Sequence, residues 1–242
     1  MASEAGGQDH RGGRPLKSNE MFRLLCLLVL ALAGSSFGEQ VVGAQNGVLP
    51  FSCGIFSSTA SEATLSARFG AANVKTGLVP WGGSEGDVNE GTVLFDSSPD
   101  AKLEIYWRDR ANKRSPEWVS VRGGQSRWRS PSGITLGTSL RAIERLNARP
   151  FRLLGFGTDV SGTVMSWSGG RLDSQNTAEC RVRLRLGRDW DQADQARNAL
   201  IHQLIGEDEY SSGHPAMQAL DPTVYEMFLQ YAPMASNPRV EE

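Results

Sequence analysis

The side chains with chemistry to offer are few: Cys53 and Cys180, His202 and His214, and a set of tryptophans interleaved with arginines. His214 closes the run Glu207-Asp-Glu-Tyr-Ser-Ser-Gly-His214, where an imidazole beside carboxylates has the makings of a metal or hydrolytic site. The bland account of that run is a solvated acidic loop. His202 falls in a helical pattern, as a surface or packing residue does. No H-E-x-x-H or P-loop occurs. The acids Asp87 and Glu90, or Asp159 and Asp173, have no spacing that demands a general acid–base pair. The residues thus name no catalytic group, no cofactor and no metal set. A hydrolase or metal-dependent enzyme built on the His214 loop stands as the alternative reading.

Trp107, Trp118, Trp128 and Trp167 sit at or near strand positions, with Arg108, Arg127 and Arg129 among them. Tryptophan and arginine supply most of the binding energy at protein interfaces. Arg127, Trp128, Arg129 and Trp167 are therefore the candidate contacts for a protein partner. The competing account puts the tryptophans in the core with arginine stems lying beside them.

The compartment is written near the start. Met21-Phe-Arg-Leu-Leu-Cys-Leu-Leu-Val-Leu-Ala-Leu-Ala33 is one arginine followed by an apolar run, and Gly34-Ser-Ser-Phe-Gly38 is a small-residue exit. That is the pattern of a Sec-type signal peptide over about residues 21–38, and the run is short for a membrane span. The expectation is a periplasmic or secreted protein with no stable membrane insertion after cleavage. Cys53 and Cys180 then remain in an oxidising compartment with one intramolecular pairing open to them, and a structural disulfide follows.

The formal charge of −2 argues against a protein devoted to nucleic acid. The charge is unevenly spread. Residues 108–149 hold ten Arg/Lys against three Asp/Glu, and residues 189–242 hold two against ten. The plain reading is two solvated faces of opposite sign, and the sharper one is an arginine patch for an acidic partner.

The elements that must position these groups are short. Thr59-Ala-Ser-Glu62 reads as a capping box opening a helix with Leu65 and Phe69 on one stripe. Thr92–Phe95, Lys102–Trp107 and Pro116–Arg122 read as strands, as do Phe151–Phe156 and Gly162–Trp167. Thr138 is the expected N-cap of a helix carrying Leu140, Ile143 and Leu146. Glu179–Leu186 alternates strictly, putting Cys180, Val182, Leu184 and Leu186 towards the core. Asp191–Ile205 reads as a helix, and Val224–Tyr231 as an added edge strand.

Set side by side, Phe69–Val74 and Leu146–Phe151, Gly91–Phe95 and Gly162–Ser166, and Leu103–Trp107 and the strand at Cys180 look like two passes of one unit. The expected fold is α+β: two diverged repeats of a short helix plus antiparallel strands forming a sheet, with an added C-terminal helix and strand. The segments are 1–38 for the extension and signal, 39–124 and 125–188 for the repeats, and 189–242 for the C-terminal part.

The run Ile134-Thr-Leu-Gly-Thr-Ser-Leu-Arg-Ala-Ile-Glu-Arg-Leu-Asn-Ala-Arg-Pro-Phe151 resembles a motif shared by two families. These are the small outer-membrane assembly lipoproteins of the SmpA/OmlA type and the β-lactamase-inhibitor-protein family, whose members carry the unit singly or in tandem. Thr138 replaces the motif's methionine and Asn147 its glycine. Ser126–Trp128, Gly155-Phe-Gly157 and Gly162–Val164 add a similarity to exported bacterial proteins of no known activity. The resemblance implies a non-enzymatic module that binds an envelope or secreted protein through a sheet face. It carries over no functional residue.

Overall fold

The computed structural model describes residues 47–80, 88–187 and 195–232, so the segment read as a signal lies outside the described residues. The fold is mixed α+β with mostly antiparallel sheets. In chain order the strands are β1 (Leu49–Pro50), β2 (Val74–Pro80), β3 (Val88–Leu94), β4 (Leu103–Asp109), β5 (Arg114–Arg122), β6 (Trp128–Arg129), β7 (Arg152–Leu154), β8 (Val164–Ser166), β9 (Cys180–Leu186), β10 (Glu209–Ser211) and β11 (Val224–Tyr231). The helices are α1 (Glu62–Phe69), α2 (Leu140–Asn147), α3 (Gln195–His202) and α4 (Pro215–Leu220).

Six strands form the main sheet in the order β2-β3-β4-β5-β11-β9, all neighbours antiparallel. Period-two alternation sets which side of it is apolar. Leu103, Ile105, Val119, Val121, Met227, Leu229, Val182 and Leu184 are buried on the inner side, in the main core. Helix α1 lies against that side through Leu65 and Phe69. Its Glu62 accepts from Thr92 Oγ1 at 2.6 Å, and Trp107 Nε1 donates to the same hydroxyl at 2.7 Å. A polar chain thus crosses the core with its groups paired.

A second sheet of three strands, β10-β7-β8, lies beyond β9. The two sheets are joined by a bridge between Thr163 and Arg185 and by the Leu186 amide donating to Gly162 O at 3.1 Å. β1 and β6 pair in parallel and bring the arm at 49–56 across the core. The Cys53–Cys180 disulfide, with its Cα atoms 5.8 Å apart, ties that arm to β9. The disulfide read from the sequence is present.

Several local readings shift. Val224–Tyr231 is an interior strand between β5 and β9, not an edge strand, because Met227 and Leu229 need inner-side cover from both neighbours. Segments 39–124, 125–188 and 189–242 therefore contribute strands to one sheet. Helix α1 starts two residues later than the capping box at Thr59 suggested: Ser61 Oγ accepts from the Thr64 amide, and Thr64 Oγ1 accepts from the Ser61 amide. For α2 the cap is Ser139, because the Thr138 hydroxyl is spent on Thr135. Val74–Pro80, which has no clean alternation, is a strand all the same, held by seven-residue pairing with β3. The acidic loop before His214 contains β10, which pairs with β7.

Candidate functional site

The outer side of the main sheet carries the residues that alternation turns away from the core. Register places Val93, Glu104, Ser120, Phe228 and Arg183 in one row across β3, β4, β5, β11 and β9. The row on one side holds Tyr106, Trp118, Gln230 and Arg181, and the row on the other holds Arg122, Glu226 and Arg185. Trp118 stacks on Phe228 with ring centroids 4.2 Å apart, and the Arg185 guanidinium lies 5.3 Å from the Phe228 ring. Val79, Val93 and Tyr106 form a small apolar cluster with Trp118, separate from the main core. The outer side is thus a face of aromatic and arginine side chains.

Its charges are arranged in two ways. Glu226, only 1% exposed, has Oε1 3.0 Å from Arg122 Nε and Oε2 3.1 Å from Arg185 Nη1. Burial holds its carboxyl above the usual carboxylate range, against the opposing pull of the two guanidinium groups. Trp118 Nε1 and Ser120 Oγ beside it find no hydrogen-bond partner among the described residues. At the other end of the face, Arg183 donates through Nη1 to Val164 O and Met165 O, both at 2.9 Å, and through Nε to Gln230 Oε1 at 3.0 Å. Burial, and after it the charge of Arg181, hold the Arg183 guanidinium below its ordinary value. Arg181 is exposed, and no described residue pairs with it.

Two adjoining depressions open at this end. One, of ≈ 290 Å³, is lined by Arg181, Arg183, Gln230 and Ala232 among others. The other, of ≈ 340 Å³, lies between β9 and β8 and is lined by Arg181, Arg183, Met165, Asp173 and Asn176 among others. Both share the two arginines. By contrast, Tyr106 and Phe228 nearer the middle of the face are buried, so Arg181 and Gln230 are its accessible end.

The candidate contacts read from the sequence do not come together as one surface. Trp128 is 0% exposed, packed among Phe56, Phe69 and Phe95, with Nε1 donating to Ala101 O at 2.7 Å. Trp167 is 5% exposed and packs on Phe151. Both are core residues here, as is Trp107. Arg127 is half-buried and donates to Gly47 O, and Arg129 is exposed on the opposite side of β6 from Trp128. The tryptophan that does belong to an arginine face is Trp118. Sequence reasoning missed Arg181, Arg183 and Gln230 as a group, although the strict alternation of β9 already put its three arginines on one side.

His214 Nδ1 accepts from the Ala216 amide at 3.2 Å and so caps α4. Its neighbour Glu209 is paired with Arg152 at 3.3 Å. No group of three or more His, Cys, Asp or Glu among the described residues could hold a metal ion. No described helix is long and apolar enough to cross a membrane.

Comparison with known protein families, curated proteins and solved structures finds no match.

Proposed function

We propose that this is an exported, non-enzymatic binding protein that engages an envelope or secreted protein through the accessible end of the sheet's outer face, at Arg181, Arg183, Gln230 and Met165. The observation that carries this reading is the pair of arginines shared by two adjoining depressions, one of them exposed and without a described partner. Arginine on a firm sheet, next to a stacked aromatic pair, is the composition of an interface anchor. Export rests on the segment Met21–Gly38, and the Cys53–Cys180 bridge supports it, since such bonds persist in oxidising compartments.

The order of elements supports the tandem-repeat resemblance. Helix α1 leads into the antiparallel pair β2–β3 and then to β4 beside β3. Helix α2 leads into the pair β7–β8 and then to β9, bridged to the end of β8 through Thr163. Two diverged copies of one helix–hairpin–strand unit, joined edge to edge through β5 and β11, account for both halves.

The test is capture from a periplasmic or secreted extract by the purified mature chain, with Arg181→Glu and Met165→Asp alongside. The reading holds where a protein retained by the parent chain is lost from both variants. Retention that neither substitution alters removes the face from the function.

A further inference from the structure

Resting on that reading of the Arg181 end, we infer that the group recognised there is a single carboxylate carried by an extended peptide segment, gripped by Arg181 and Arg183 with amide contacts on either side. The donors around the cleft decide the chemistry. Arg183 is already held by three hydrogen bonds through Nε and Nη1, which fix its plane and leave Nη2 to spare. A guanidinium held in place in advance loses little freedom when it clamps a carboxylate. Arg181, two residues along the same side of β9, has its whole fork uncommitted among the described residues.

The two flanking amides are oriented by their own bonds. Asn176 Oδ1 accepts from the Val182 amide at 3.1 Å, and Gln230 Oε1 accepts from Arg183, so each amide has its NH₂ left to donate. Such donors suit peptide carbonyls. Among the described residues, Asp173 is the one carboxylate lining the larger of the two depressions. It can accept from a peptide N–H, and it repels a second negative charge, which disfavours a phosphate dianion or a polyanion. Glu179, the nearest acid along the strand, is turned to the arm, where Ser58 Oγ donates to its Oε2 at 3.2 Å. It does not neutralise the pair. Two like charges crowded together and partly desolvated are relieved when a carboxylate arrives between them.

The test is fluorescence anisotropy with the mature chain and a fluorescein-labelled decapeptide of alanine and serine carrying one central glutamate; the same peptide with glutamine in that place is the control. The expected result is saturable binding of the glutamate peptide alone, weakened about tenfold or more by Arg181→Gln and by Arg183→Gln. It also weakens as salt rises from about 50 to about 300 mM, because the contact is an exposed ion pair. Arg129→Gln, an exposed arginine on another strand, leaves it unchanged. No binding, equal binding of the glutamine peptide, or equal loss from Arg129→Gln overturns the inference. Displacement by inorganic phosphate at the peptide's own concentration overturns it too, in favour of a general anion site. If the peptide fails while Arg181→Glu and Met165→Asp still abolish partner capture, the carboxylate inference falls and the binding face stands. If capture also survives those substitutions, both fall.

Discussion

Glu226 shows how much one side chain can hold. It sits in the interior strand with a guanidinium on either side, and the cost of burying it is met only while both ion pairs exist. Glu226→Ala leaves two guanidinium groups facing each other without a counter-charge, and should cost about 3–5 kcal/mol in urea unfolding. Replacing all three residues with apolar ones of similar size should recover most of that loss, since the whole set then needs no charge compensation. Tyr231 gives a second residue-scale expectation. Its hydroxyl donates to Phe56 O at 2.5 Å, and burial pushes the phenol well above its ordinary value. The folded pKa exceeds the unfolded one, so this stabilisation is complete below the ordinary phenol value of about 10 and is lost as pH rises beyond it. A stability–pH series should therefore fall above that point in the parent and fall less steeply in Tyr231→Phe.

At the scale of elements, β3 depends on a glycine. A Cβ at Gly91 would overlap the Ile105 carbonyl oxygen and a Val79 methyl, so the neighbouring backbone must give way. Gly91→Ala should cost about 1–3 kcal/mol, and hydrogen exchange should speed up in β2 and β3 ahead of α2. How far such elements could be read in advance depended on how local their causes are. Helices α1 and α2 were legible because caps and apolar spacing lie within a few residues, and the caps missed by one or two positions where adjacent hydroxyls competed. Strand β9 was legible from alternation alone. Strand β2 was not, because Val74-Lys-Thr-Gly-Leu-Val-Pro80 shows neither alternation nor a uniform apolar run, and only its partner makes it a strand. The candidate face failed for a similar reason. Which tryptophan points outward depends on sheet order, and Trp128 reads no differently from Trp118 until Phe56, Phe69 and Phe95 are known to surround it.

Across the whole molecule, the Cys53–Cys180 bridge spans 127 residues and fastens the arm to the strand that carries Arg181. Closing a loop of that length removes about 4–5 kcal/mol of unfolded-state freedom in the chain-entropy account. Cys53→Ser with Cys180→Ser should lower the midpoint of thermal unfolding by several degrees or more, with reducing agent lowering the parent in the same direction and leaving the double variant unmoved. The place of β11 has a further consequence. It is the last described strand to be synthesised, yet it is the seam between β5 and β9, so the two ends of the sheet cannot be closed until Tyr231 has been made. A newly made chain therefore leaves this sheet unclosed until that point. Non-local closure of this kind is slow to form. The sheet order thus ties completion of the fold to its last described strand.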